Sequence, residues 1–165
     1  ILAMANLYGA TTARAYADGG PAAVRRVVRS ASILGVSAML GLWIFLSFFG
    51  GRVVELFYGG EFSGNGELVG VIAFAAPFWA FSCCLSVGLR ALGRPDAELG
   101  GRIAGFVITL VFAILLVGIS KIVGVAWALV AGAIATTAWQ AWAFYCWFPE
   151  ETAPKVTSEL VDERA

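Results

Sequence analysis

The sequence predicts an all-α protein whose helices cross a membrane as a polytopic transmembrane helix bundle. The composition is 60% hydrophobic and only 13% charged, whereas about a quarter of the residues of a soluble domain are charged. Uncharged apolar stretches recur along the chain, and each approaches the roughly 20 residues that a helix needs to cross the hydrocarbon core. Lysine and arginine are concentrated in alternate loops. These observations predict four complete spans preceded by a truncated helix.

The beginning of the chain is interpreted as the end of that truncated transmembrane helix. It starts at Ile1 with an apolar stretch and has no basic segment before it, unlike a signal peptide. Gly19, Gly20 and Pro21 are residues that end one helix and open the next. Residues 1–20 are therefore predicted to be a helix end followed by a cytoplasmic turn, and we expect the chain to be the carboxyl-terminal part of a longer protein.

The four complete spans are predicted within residues 21–148. Pro77 lies near the middle of the second span, where it removes a backbone hydrogen bond and favours a bend. Lys121 alone separates the third span from the fourth. Residues 149–165 are polar and lack an apolar period, so they are predicted to form a tail outside the bundle. The predicted spans lie at about 31–49, 68–89, 103–120 and 122–148.

The placement of basic residues predicts the orientation of the chain. Basic residues near span ends are enriched on the cytoplasmic side of a membrane. With four spans, one side carries only Arg52 and Lys121. We therefore expect a multi-pass membrane protein with a cytoplasmic carboxyl-terminal tail. The opposite, basic side carries Arg14, Arg25, Arg26, Arg29, Arg90, Arg94, Arg102, Lys155 and Arg164.

Small residues recur at every fourth position of the last two spans. Such stripes let the backbones of neighbouring transmembrane helices approach closely. They predict that both spans pack against protein as well as lipid. The stripes are Gly101, Gly105, Thr109 and Ala113 in the third span, and Gly124, Ala128, Gly132, Thr136 and Gln140 in the fourth.

Polar side chains inside the spans are candidates for a substrate path. Gln140 is the only amide side chain in a complete span, and its burial requires either a partner on a neighbouring helix or a hydrated cavity. Thr136, Ser82 and Ser86 are weaker candidates, because hydroxyl groups also bond to carbonyl groups of their own helix. A purely structural role for Gln140 is the alternative.

The residue types present argue against several other classes of protein. Histidine is absent, which removes the commonest metal ligand. No carboxylate pair, nucleophile with a base, or phosphate-binding loop occurs at a usable spacing, so we predict no enzyme, no catalytic residue, no metal and no cofactor. A net charge of zero gives no indication of a nucleic-acid partner. The spans also lack the membrane-embedded acid that a self-contained ion-coupled exporter uses.

Three short sequences follow one another along the chain, namely LFYGGEF at 56–62, LRALGRP at 89–95 and GVAWA at 124–128. Together with the order of the features above, they resemble the carboxyl-terminal region of polysaccharide flippases. These flippases belong to the multidrug, oligosaccharidyl-lipid and polysaccharide exporter superfamily. The resemblance covers nearly the whole chain.

The resemblance implies part of a two-lobe transporter that flips lipid-linked oligosaccharide or polysaccharide precursors, such as O-antigen units, across the bacterial inner membrane. The implied partners are membrane lipids, the lipid-linked oligosaccharide and the missing amino-terminal half of the protein. Arg90, Arg94 and Arg102 would then contact phosphate or lipid headgroups, or would only set topology. The alternatives are a cation-coupled multidrug or metabolite exporter of the same superfamily and a non-transporting membrane subunit.

Overall fold

The computed structural model describes residues 2–59 and 66–146, and this part of the chain is helical apart from short turns. The predicted all-α fold is confirmed. The predicted tail at 149–165 lies outside the described residues, as does the end of the predicted fourth span. The helices are α1 (Leu2–Tyr58), α2 (Gly66–Phe74), α3 (Ala76–Ala91) and α4 (Pro95–Cys146).

Helix α1 is divided into two limbs by a turn at its glycine pair. Gly19 and Gly20 leave the helical conformation, and Gly20 has φ 61°, a region that glycine enters without steric cost. Pro21 begins the second limb, where its missing N–H group is not needed. Tyr8 of the first limb packs against the core cluster that the second limb also lines. The turn predicted at these residues is confirmed.

Helices α2 and α3 form one apolar segment with a break inside it. The N–H group of Ala75 bonds to the carbonyl of Ile72 at 3.1 Å, which closes a tight turn between the two helices. Pro77 follows in the first turn of α3, where it cannot donate a backbone hydrogen bond. The predicted second span is interrupted at the buried residue Ala75, two residues before Pro77.

The segment labelled α4 consists of two helical arms, Pro95–Gly118 and Ile122–Cys146, which pack against each other as a helical hairpin. In a straight helix Gly105 and Gly132 would be about 40 Å apart. Instead, a Cβ atom built on Gly105 would lie 2.9 Å from the carbonyl oxygen of Gly132. The chain therefore reverses between the two arms.

Helix α4 begins eight residues before the predicted third span. The segment from 95 to 102 was predicted to be loop, but it forms the first turns of the helix. Pro95 occupies a position that tolerates the loss of its N–H group, and Asp96 and Glu98 lie in the first turn, where negative charge favours the helix dipole. The connection between α3 and α4 is therefore only a tight turn around Gly93, whose φ is 72°.

Four described segments are long and apolar enough to cross a membrane, namely Tyr8–Phe57, Leu68–Ala91, Pro95–Gly118 and Ile122–Cys146. Large apolar side chains cover their outer faces, with Phe48 82% and Ile114 69% exposed. An apolar surface of this extent suits a lipid environment. The main core lies between α1, α3 and α4 and contains Val24, Val28, Ala31, Cys84, Leu85, Leu89, Ala97, Ala143 and Phe144.

Candidate functional site

The two arms of α4 meet along the small-residue stripes, which we call the hairpin seam. A Cβ atom added to Gly105 would collide with Oγ1 of Thr136, and one added to Gly132 would collide with Oγ1 of Thr109. Each threonine thus fills the notch that a glycine leaves on the opposite arm. The predicted helix contacts are confirmed, and the structure adds that the two stripes contact each other.

The hydroxyl groups of the seam are satisfied within their own arms. Thr109 donates to the carbonyl of Gly105, and Thr136 donates to that of Gly132, both at 2.9 Å. The candidate Thr136 therefore lies in a closed helix contact, and its hydroxyl group is already paired.

Gln140 lies at the end of the seam, between α4 and α3. It is completely buried, and its Oε1 atom accepts a 2.6 Å hydrogen bond from the hydroxyl of Ser82. Its Nε2 atom has no hydrogen-bond partner among the described residues. The structure thus brings two of the predicted polar residues together across a helix interface and leaves one end of the amide unpaired.

Ser86 lies one helical turn beyond Ser82 on α3, and residues at this spacing share a helix face. Its side chain is buried, and its hydroxyl group likewise has no hydrogen-bond partner within the described part of the chain. Gln140 and Ser82 therefore meet between α3 and the second arm of α4, and Ser86 follows Ser82 on the same face of α3.

Thr137 is a polar contact that the sequence did not single out. Its hydroxyl lies 3.0 Å from the carbonyl of Phe78 on α3 and 2.8 Å from that of Ala133 in its own helix. It therefore joins α4 to α3 next to the break at Ala75. A threonine bonded only to its own helix has the same sequence pattern, so the sequence carried no signal for this contact.

A second polar group, the arginine clamp, consists of Arg90, Glu98 and Arg102. Arg90 donates to both oxygens of Glu98, at 2.5 Å from Nε and 2.7 Å from Nη2. Arg102 donates to one of these oxygens at 3.1 Å from Nε and 2.9 Å from Nη2. The carboxylate therefore holds two guanidinium groups together across the turn between α3 and α4.

The clamp combines a buried carboxylate with exposed cations. The side chain of Glu98 is only 6% exposed, whereas those of Arg90 and Arg102 are 62% and 61% exposed. A guanidinium group has five N–H donors, so each arginine keeps further donors beyond its bonds to Glu98. The clamp carries a net charge of +1, because it contains two arginines and one glutamate. Both guanidinium groups lie at the surface, where an anionic group can reach them.

Glu98 was missed because its segment was interpreted as loop. Once Pro95 is recognised as a helix start, Glu98 and Arg102 stand four residues apart on one helix, which favours an ion pair. Arg94, the third predicted arginine, is exposed in the turn that the clamp bridges.

Comparison with known proteins adds no relative. No protein-family model, curated protein or solved structure matches this chain. The resemblance to polysaccharide flippases therefore depends on the order of the features and on the three short sequences, and the geometry of the site has to be considered by itself.

The clamp lies at the end of the bundle where other basic residues gather, which we call the basic end. The guanidinium carbon of Arg25 lies 5.7 Å from the centre of the Tyr145 ring, so the start of the second limb of α1 is beside the end of α4. A Cβ atom on Gly88 would touch both Val28 and Phe144, which places the end of α3 at the same level. Charge is therefore concentrated at one end of the folded bundle.

Proposed function

We propose that the chain is part of a membrane transporter that flips lipid-linked oligosaccharide or polysaccharide precursors across the bacterial inner membrane. The arginine clamp is the observation that carries this proposal. A flippase must receive a phosphate-linked headgroup at the membrane surface, and arginine binds phosphate oxygens through paired hydrogen bonds. Arg90 and Arg102 offer two such groups at fixed positions beside the end of an apolar helix bundle.

The polar contacts within the bundle support the same proposal. Polar side chains inside a membrane are costly and commonly mark the path of a substrate. Gln140 and Ser82 meet inside two segments that are apolar enough to span a bilayer. Because Gln140 is fully buried, it would reach a substrate only when α3 and the second arm of α4 separate, as rearrangement during alternating access allows.

The proposed orientation places the basic end in the cytoplasm, because basic residues are enriched on that side. The lipid-linked precursor would then meet Arg90 and Arg102 on the inner leaflet before it crosses. In the complete protein, a second lobe would close the substrate path against this bundle.

The direct test is translocation by the full-length protein in proteoliposomes. A fluorescent lipid-linked oligosaccharide is incorporated, and its accessibility to a membrane-impermeant quencher is followed over time. We expect the protein to accelerate the appearance of label in the opposite leaflet, and the double variant Arg90→Ala/Arg102→Ala to slow it about tenfold or more because two charge-assisted contacts are lost. Arg52→Ala is the control, since Arg52 is exposed and far from the basic end along the second limb of α1. No acceleration by the wild-type protein would contradict the proposal.

A cation-coupled exporter is the second candidate, and Glu98 is the observation that bears on it. Among the described side chains Glu98 is the buried carboxylate, the kind of group that ion coupling uses. Its ion pairs with Arg90 and Arg102 occupy it in this conformation. Transport of a cationic drug that follows an imposed ion gradient, and that is lost in Glu98→Gln, would favour this candidate. A protein that transports neither substrate would fit a non-transporting subunit.

A further inference from the structure

The unpaired end of the Gln140 side chain requires a partner that the described helices do not supply. Gln140 is completely buried, and Nε2 carries two N–H donors without an acceptor. A buried donor without a partner destabilises the folded state, because it has lost its hydrogen bonds to water. Buried polar groups in folded proteins are almost always hydrogen-bonded. Ordered water molecules bind those that have no partner within the protein.

If the Gln140 amide is turned so that its oxygen and nitrogen exchange places, one end of it still needs a hydrogen-bond partner. The hydroxyl of Ser82 can donate to Oε1 or accept from Nε2, so it pairs with whichever end of the amide faces it. Whichever amide atom faces Ser82, the other amide atom of Gln140 has no hydrogen-bond partner among the described residues. A serine hydroxyl can rotate onto a carbonyl of its own helix, but the Gln140 amide has no such freedom while Ser82 holds it.

Polar groups suited to one small ligand lie along this interface. Ser86 follows Ser82 by one turn on the same face of α3, and its hydroxyl is buried and unpaired in the described structure. Ser82 uses its hydrogen atom for Gln140 and keeps lone pairs that accept. A buried water typically makes about three hydrogen bonds, and Gln140, Ser86 and Ser82 supply that number.

We propose that the interface between α3 and the second arm of α4 binds a structural water molecule held by Gln140, Ser86 and Ser82. The water accepts from the Gln140 amide and exchanges hydrogen bonds with the two hydroxyl groups. The water site shares Gln140 and Ser82 with the proposed substrate path, but the binding of the water does not require the transport function. It places a hydrated polar site between two helices whose sequences are mostly apolar.

Radiolytic hydroxyl-radical footprinting of the full chain in lipid nanodiscs tests this site. X-rays generate radicals from bound water, and these oxidise side chains next to it. Phe144 is the reporter, because it lies one turn beyond Gln140 on the same helix face and is only 2% exposed to bulk solvent. We expect Phe144 to be oxidised in the wild-type protein. Gln140→Leu should lower its oxidation about fivefold, and Ser86→Ala about twofold, because the water loses one of its ligands in each variant.

Thr137→Val is the matched control, since it removes another buried hydroxyl from the same pair of helices and should leave Phe144 oxidation unchanged. If Gln140→Leu does not assemble, Ser86→Ala decides the question by itself. Equal oxidation of Phe144 in the wild-type protein and in the variants that assemble would overturn the proposal. So would a decrease of the same size in Thr137→Val.

Discussion

The second arm of α4 takes part in two helix contacts that are built in opposite ways. Toward the first arm it presents the hairpin seam, where glycine and threonine interlock and both hydroxyl groups bond within their own arms. Toward α3 it presents Gln140 and Thr137, which bond across the interface. One contact depends on the close approach of two backbones, and the other on polar groups that need partners. A substitution should therefore act through steric fit in the first contact and through lost or unpaired hydrogen bonds in the second.

The largest effect is expected in the hairpin seam. Gly105→Ala would place a Cβ atom into Oγ1 of Thr136 and 2.9 Å from the Gly132 carbonyl oxygen. Since backbone on the other arm must move, the free energy of unfolding should fall by about 3 kcal/mol. Denaturation in detergent micelles, followed by circular dichroism, measures the change.

Two further variants sharpen that prediction. Gly41→Ala is the matched control, because a Cβ atom there meets nothing within 4 Å, and it should stabilise the helix by up to about 1 kcal/mol. Adding Thr136→Ala to Gly105→Ala removes the clash with Oγ1 but not the close approaches to Cβ of residue 136 and to the Gly132 carbonyl oxygen, so it should restore part of the loss. Equal free energies of unfolding for Gly105→Ala and Gly41→Ala would contradict the close contact of the two α4 arms at Gly105.

The arginine clamp should show the next largest effect. Glu98→Gln keeps the shape of the side chain but removes the charge that holds Arg90 and Arg102 together. The cost should be about 2 kcal/mol, less than for a fully buried ion pair, because both arginines are largely exposed. Denaturation at low ionic strength measures it. Asp96→Asn is the control, since Asp96 lies in the same first turn but is exposed. A loss in Asp96→Asn as large as that in Glu98→Gln would assign the effect to the helix dipole instead.

A smaller effect is expected for the hydrogen bond between Thr137 and Phe78. Thr137→Val preserves the shape of the side chain and should cost about 1 kcal/mol, the usual size of a hydrogen bond between transmembrane helices. Thr12→Val makes the matched comparison, because Thr12 is also buried and its hydroxyl donates to Tyr8 of its own helix. Chemical denaturation of both variants should show the larger loss for Thr137→Val. The reverse order would show that bonds between helices do not distinguish the α3–α4 contact.

The contrast between the two contacts also explains what the sequence could predict. The hairpin seam follows from a regular pattern, because small residues at every fourth position lie on one helix face whatever the neighbour is. Gly19, Gly20 and Pro21 predicted the turn in α1 for a similar local reason, since their backbone preferences do not depend on distant residues.

The polar contacts depend on distant residues and were only partly predictable. Gln140 was recognised as needing a partner, but the choice of Ser82 is decided by how α3 packs against α4. Thr137 was missed because no pattern separates a bond within a helix from one between helices. Glu98 was missed because the segment around Pro95 was interpreted as loop, which hid its spacing to Arg102.

The most direct test of the account is the sidedness of the two ends of the α4 hairpin. In a protein with Cys83 and Cys84 replaced by alanine, native Cys146 is compared with a cysteine introduced by Asp96→Cys in a variant where Cys146 is also replaced. Both positions are exposed at their helix ends. An impermeant maleimide should label neither in intact cells and both after permeabilisation, while Arg52→Cys should be labelled from outside. Labelling of the Asp96→Cys position and of Cys146 from opposite sides of the membrane would contradict the hairpin and the four-span bundle that contains it.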